Sequence, residues 1–284
     1  MGRWRTSLIW GASMACIALL AGTALVYTST ERLLDRPYPV VTATIPAARA
    51  ADAIARGRHL ADITGCTDCH GADLRGRVFI DDGWWRGRYY ASNLTLKAQS
   101  YSDEDLARIV RTGVRPDGRG VVAMPAFGYV RVSNDEMAEI IAFVRSLPAG
   151  GKAQPAHLIG PLDRWDLWVG RKLKPAVAYV AAESMKAPPH RGAQHERARH
   201  LVGIVCTECH GGDLGGNGWD SGAPALTVVR AYRREQLNTL LRTGVGADAR
   251  QHGLMSKVAR DRLHHLTDDE IAAIHDYLSS TAPS

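Results

Sequence analysis

Long apolar runs are scarce in this sequence. Only one exists, near the N-terminus, so a many-pass transporter is excluded. No run of Lys or Arg occurs despite a formal net charge of +6, so the basic stripe that tracks a nucleic-acid backbone is missing. No nucleic-acid partner is expected. Phenylalanine is down to three residues, and the aromatic content rests on seven Trp and nine Tyr. Methionine is also sparse, at six, which makes matched Met positions informative. Cysteine occurs five times, and four of these fall in two short motifs. No strong alternating strand pattern is present, so the expected fold class is all-α. What is there, 45% hydrophobic and 23% charged residues, is the make-up of a folded chain rather than a disordered one.

The one apolar run lies between Arg5 and Glu31, with its strongly apolar part from Leu8 to Tyr27. As a helix it would rise ~30 Å, the thickness of a bilayer core. Arg3 and Arg5 precede it, which puts the N-terminus inside and everything after Tyr27 outside. A cleaved signal would have a shorter apolar region and a nearby small-residue site, whereas Ala48-Arg49-Ala50 lies far downstream. The expectation is an uncleaved single-pass anchor over 1–28, followed by a Pro-containing tether over 29–50. The spare cysteine, Cys16, reads as an inert membrane thiol.

The remainder repeats. Cys66-Thr67-Asp68-Cys69-His70 and Cys206-Thr207-Glu208-Cys209-His210 are both C-x-x-C-H. Around them Arg58-His59-Leu60 pairs with Arg199-His200-Leu201, Leu94-Thr95 with Leu226-Thr227, and Arg111-Thr112-Gly113-Val114 with Arg242-Thr243-Gly244-Val245. The offset drifts mainly after the first motif, where Val78 to Ala91 reads as an insertion. Ser133-x-x-Glu136 and Thr267-x-x-Glu270 are capping boxes, and each opens an apolar helical period. Those periods carry Met137, Ile140, Ile141 and Val144 in one copy, and Ile271, Ile274, Tyr277 and Leu278 in the other. Ser102 caps a further helix, Gly113 and Gly244 are helix stops, and opening helices are expected over Ala51 to Ile63 and Ala193 to Val205. The expected layout is two tandem domains, 51–148 and 194–284, joined by a Gly- and Pro-containing linker, 149–193.

C-x-x-C-H is the attachment motif of c-type haem. Cys66, Cys69, Cys206 and Cys209 would become thioethers, and His70 and His210 would ligate iron. A shared zinc site would leave both histidines unexplained, and a thioredoxin-like pair needs a βαβ context that is missing. Two covalent haem c groups are therefore expected, and their propionates would offset part of the basic charge. Met124 and Met255 stand at the same interval after their Arg-Thr-Gly-Val stretches and are the expected sixth ligands. Met255 lacks the following proline that Met124 has, and His252, His264 and His265 lie nearby. His59 and His200 read as residues packing against the closing helix of their own copy, near Phe143 and Tyr277.

These motifs resemble the class I cytochrome c superfamily in its two-haem, membrane-anchored bacterial form. The stretch from Asn93-Leu94-Thr95 through Ser102, Arg111-Thr112-Gly113-Val114 and Met124-Pro125 to Arg145-Ser146-Leu147-Pro148 is similar to haem domains of alcohol and gluconate dehydrogenase cytochrome subunits. The resemblance implies that Asn93 lies against the haem edge and propionates. It implies electron transfer rather than catalysis, with a dehydrogenase, a quinol-oxidising complex or a terminal oxidase as redox partner. The expected location is the bacterial inner membrane, with both haem domains in the periplasm. A di-haem peroxidase has the same number of motifs but needs an open iron site, and a Met is available for each haem here. In the linker, the Trp165/Trp168 stretch is expected to be a short helix covering the seam between domains, the alternative being a docking face for a redox partner or the membrane surface. Trp84-Trp85 and Tyr89-Tyr90, in the insertion, would shield a haem edge or meet a partner.

Overall fold

The computed structural model describes residues 2–41, 44–48, 52–170, 174–216 and 222–280. Helix α1 (Gly2–Leu34) contains Ser7–Leu34, a stretch long and apolar enough to cross a membrane. It runs past the expected end at residue 28. The segment behind it is no free stalk: Tyr38 N donates to Gly118 O, Pro37 bridges Arg119, and Ile45 is buried in the core. Arg49, Ala50 and Ala51, and with them the expected first residue of the opening helix, lie outside the described residues.

The first half is built from α2 (Ala53–Ile63), α3 (Cys66–His70), α4 (Gly83–Arg86), α5 (Leu94–Ser100), α6 (Asp103–Thr112) and α7 (Asn134–Ser146). Capping boxes at Ser102 and Ser133 start α6 and α7, and Gly113 ends α6 in the left-handed conformation, at φ 70°. The expected apolar face of α7 is the buried one: Met137, Ile140, Ile141 and Val144. Helix α2 crosses α7 at Gly57. A Cβ there would sit 1.9 Å from the Glu139 carbonyl oxygen, so only glycine allows this approach.

The insertion corrects the all-α expectation. Strands β1 (Arg77–Asp81) and β2 (Gly87–Ala91) pair antiparallel, and β3 (Leu158–Ile159) from the linker adds to β2. The chain is mostly helical around this small sheet. Val78-Phe79-Ile80 and Tyr89-Tyr90 suit strands, but five-residue strands with a register shift between Val78 and Ile80 leave no readable alternation.

The linker continues as α8 (Pro161–Trp168) and α9 (Val177–Ser184). The expected Trp-bearing helix exists, but α8 packs on α1 and α4 rather than on the seam. It is α9 that reaches the seam, where Glu183 O accepts from Arg131 and Glu183 Oε2 accepts from Gly212 N. The second half follows with α10 (Glu196–Val205), α11 (Thr207–His210), α12 (Arg234–Thr243), α13 (Gly253–Asp261) and α14 (Asp268–Ser279). Thr267 caps α14, whose Ile271, Ile274, Tyr277 and Leu278 are all buried. Buried side chains of both halves form one connected core.

Candidate cofactor sites at the two C-x-x-C-H turns

Each motif forms a single helical turn, α3 or α11, directly behind the opening helix of its half. That turn brings two cysteines three apart and the following histidine to one side. Gly71 and Gly211, at φ 86° and 80°, then turn the chain away from the histidine. Both histidines are held alike. His70 Nδ1 lies 2.7 Å from Ser92 O, and His210 Nδ1 lies 2.8 Å from Pro224 O. A carbonyl oxygen only accepts, so each Nδ1 carries the proton and each Nε2 keeps its lone pair. Burial lowers both imidazole pKa values below the ordinary one and keeps the rings neutral. A neutral imidazole with its second nitrogen anchored is the form that binds iron.

The four motif cysteines are partly buried and are not in disulfides. Burial pushes Cys69 and Cys209 up to about 11 and Cys206 to about 12, with neighbouring Asp68 and Glu208 adding to the first two. Among the described residues, no group of three or more His, Cys, Asp or Glu side chains could hold a metal ion. Paired thiols and a neutral, oriented imidazole on one turn fit a c-type haem.

Asn93 is spent within the protein. Its Oδ1 accepts from Leu96 N and Thr95 Oγ1, and its Nδ2 donates to Gly150 O and Lys152 O. It caps α5, pins the start of the linker, and so fixes Ser92, whose carbonyl holds His70. Met124 and Met255 both pack against the core, on different supports. Met124 sits in a bend after Ala123, which has φ 67°, and before Pro125. Met255 lies in the first turns of α13. The nearby His252 has its Nε2 3.1 Å from Asp248 Oδ1, and His264 stacks on His265 at 3.8 Å.

The sequence reading missed what lies between the two turns. Arg262, buried, donates from Nη1 to Glu208 Oε2 at 2.8 Å, and its Nη2 lies 3.7 Å from Asp68 Oδ2. Asp68 and Glu208 are the residues inside the two C-x-x-C-H motifs. One guanidinium therefore joins both C-x-x-C-H turns. Burial works against its charge, but Glu208, Tyr129 and Asp68 outweigh that and raise its pKa further. It fits against Gly65, where a Cβ would come 2.4 Å from the guanidinium carbon. Arg131, placed 131 residues earlier as Met124 is before Met255, lies on the other side of the seam against Thr207. The acidic residue in each motif and that shared offset were the available signals. His59 and His200 also cross the seam instead of packing within their own copies. His59 Nε2 meets Glu270 at 2.9 Å and His200 Nε2 meets Glu136 at 2.8 Å, so each opening helix is tied to the cap of the other half's closing helix.

Residues 52–144 match the family model for cytochrome c oxidase, cbb3-type, subunit III, and residues 195–282 match that for cytochrome c. The two halves are thus similar to cytochrome c-type domains. It is 25% identical to the fructose dehydrogenase cytochrome subunit of Gluconobacter japonicus, over 94% of this chain and 58% of that protein. It is 27% identical to the alcohol dehydrogenase (quinone) cytochrome c subunit of Gluconobacter oxydans, over 82% of this chain and 56% of that one. It is 28% identical to the gluconate 2-dehydrogenase cytochrome c subunit of Pantoea cypripedii, over 82% and 60%. The chain thus spans somewhat less than two thirds of these relatives. Cytochrome c, and with it haem and electron transport, is the theme these matches share.

Proposed function

We propose that this chain is a membrane-anchored di-haem cytochrome c that relays single electrons between a dehydrogenase and a further redox protein of the respiratory chain. The observation that carries this reading is the meeting of both C-x-x-C-H turns at Arg262, which bridges the residues inside the two motifs. The two halves are a tandem repeat, 51–148 and 194–284. Cys66 and Cys69 hold one haem, Cys206 and Cys209 the other. His70 and His210 would ligate iron through Nε2, and Met124 and Met255 would supply the second protein ligand to each. A bound haem of this kind supplies one-electron chemistry, its iron alternating between ferric and ferrous. The thioether sulfurs of Met124 and Met255 favour the ferrous form, and Arg262 sets a fixed positive charge beside both turns. The helix 7–27 anchors the chain in the bacterial inner membrane, with both haem domains in the periplasm. Likeness to three dehydrogenase cytochrome subunits supports a sugar- or alcohol-oxidising dehydrogenase as donor.

The test is the haem inventory with its ligation. Intact mass should show two haem additions that resist acid–acetone extraction, and spectra of the resting protein should show two low-spin centres. Met124→Ala and Met255→Ala should each convert one centre to a high-spin, carbon monoxide-binding form and leave the other as it was. A single haem, or a high-spin centre at rest, would overturn the relay reading.

A further inference from the structure

Helix α8 is inside out for a water-facing surface. Its acidic residues Asp163 and Asp166 are 6% and 8% exposed, whereas Trp165 and Trp168 are 47% and 39% exposed. The acids are neutralised inward. Asp163 accepts from Tyr89 Oη at 2.6 Å and from Arg86 Nη1 at 2.9 Å, and Asp166 lies 3.6 Å from the same guanidinium. Helix α4, packed on α8, likewise turns Trp84 and Trp85 outward, at 78% and 52% exposure. Four indoles on two adjoining short helices are therefore presented outward, while the charges behind them are paired.

The position of this patch is fixed by α1. Arg164 of α8 donates to Thr30 Oγ1 at 2.8 Å and to Glu31 Oε1 at 2.6 Å, and its guanidinium lies over the Tyr27 ring at 4.4 Å. Tyr27 ends the apolar stretch and Glu31 is the first charge beyond it, so α8 is clamped where α1 leaves the hydrocarbon. Trp84 lines a cleft of about 460 Å³ together with Tyr27 and Leu158. Indoles at that depth occupy the zone where tryptophan is favoured, between acyl chains and headgroups.

We propose that α4 and α8 form an aromatic foot that rests in the headgroup region of the same membrane, with the phospholipid surface as its partner. This rests on the reading of α1 as an anchor. Continuity with α1 favours lipid over a protein partner. Among the described residues around the foot, Arg86, Arg88 and Arg164 are matched by Asp163, Asp81 and Glu31. Binding then comes from the indoles rather than from anionic lipid, and it needs neither acidic headgroups nor low salt. A foot beside a single helix also fixes which face of the first half looks at the membrane.

The experiment is photolabelling of the full haem-loaded chain in phosphatidylcholine vesicles, using a phosphatidylcholine with a diazirine near the top of one acyl chain. Peptides covering 77–91 and 158–169 should be labelled along with 7–34, equally at low and high salt. A variant carrying W84S, W85S, W165S and W168S should lose the foot label and keep both the 7–34 label and the haem spectrum. Should that variant lose its spectrum, W165S/W168S alone must lower the 158–169 label for the proposal to stand. Labelling of 7–34 without the foot overturns the foot and leaves the anchor intact. Absence of label from 7–34 overturns the anchor reading and the foot with it. In native membranes, a foot free of lipid label but cross-linked to another protein overturns the proposal in favour of a subunit interface.

Discussion

The two halves share a frame and differ in what surrounds it. In both, a capping box starts the closing helix, a left-handed glycine follows the histidine, and a backbone carbonyl holds Nδ1 of that histidine. In the first half the helix crossing is made at Gly57, and Met124 sits on a bend. In the second, Ala198 takes the place of Gly57, and Met255 rides on α13. Arg262 bridges both motifs, whereas its counterpart Arg131 mostly meets backbone carbonyls of the linker. What is kept is what the proposed covalent, histidine-ligated haem would demand. What diverges sets how each site is buried and charged, so the two centres are expected to differ in potential.

The largest break in this comparison comes from the thiols. On the di-haem reading, replacing Cys206 and Cys209 by Ala should leave a chain with one haem by mass and destabilise the second half, which would lose the group that its motif holds. The first half should keep its spectrum. The same pair of changes at Cys66 and Cys69 should invert the result.

Next is the arginine asymmetry. Arg262→Met keeps the volume but strands Asp68 and Glu208, both mostly buried, near each other. Breaking a buried pair in this way costs about 3–5 kcal/mol. Arg131→Met loses hydrogen bonds to Glu183 O, Lys186 O and Thr207 Oγ1 and should cost about 2 kcal/mol. Guanidinium-induced unfolding checks both. Loss of the Arg262 charge also favours ferric iron at both sites, so both potentials should fall, while Arg131→Met should move them less. Equal effects of the two changes would remove the asymmetry.

The helix crossing gives a smaller contrast. Gly57→Ala gains helix propensity of about 1 kcal/mol. The new Cβ must nevertheless be accommodated against the Glu139 carbonyl, and both helices have to move apart. Overpacking of this kind costs about 1–3 kcal/mol, and because the clash is with backbone the upper part of that range should prevail, for a net loss of about 2 kcal/mol. Ala198→Gly, at the matching place, should cost only about 1 kcal/mol through propensity. If Gly57→Ala proved neutral in an unfolding titration, the close crossing would not be a requirement of the first half.

Much of this was legible in the sequence because it is local. Capping boxes, helix-stop glycines and the C-x-x-C-H turns each lie within a few residues, and the buried faces of α7 and α14 follow from helical spacing. The unread parts are long-range. Nothing near Arg262 says that it will stand between Asp68 and Glu208, and nothing near His59 names Glu270. The hairpin escaped because its strands are too short to alternate. The Trp residues of α8 were visible, but the side they face is decided by Arg164 meeting Thr30, over a hundred residues away.

The smallest effect concerns the two histidine clasps across the seam. The hydrogen bond that His59 donates to Glu270 raises His59 above its ordinary 6.5, and the one His200 donates to Glu136 does the same, with burial partly opposing both. Burial opposes the charge on Glu270 and Glu136 as well, yet the histidines pull both below their ordinary 4.5. A raised histidine stabilises the folded state fully below pH 6.5 and ceases to do so as pH climbs through its raised value. A depressed glutamate stabilises above pH 4.5 and ceases to do so as pH falls through its lowered value. The clasps are therefore strongest between these limits and weaken on the alkaline side first at near-neutral pH. Both imidazoles are substantially solvent-exposed, so screening holds each clasp to about 0.5 kcal/mol. His59→Gln together with His200→Gln should lower stability slightly at pH 5.5 and hardly at pH 8.5, flattening the pH profile of the unfolding midpoint without altering haem content. If the two single variants differ, the seam is not held evenly from both sides, and the asymmetry seen at Arg262 extends to the outer edge of the interface.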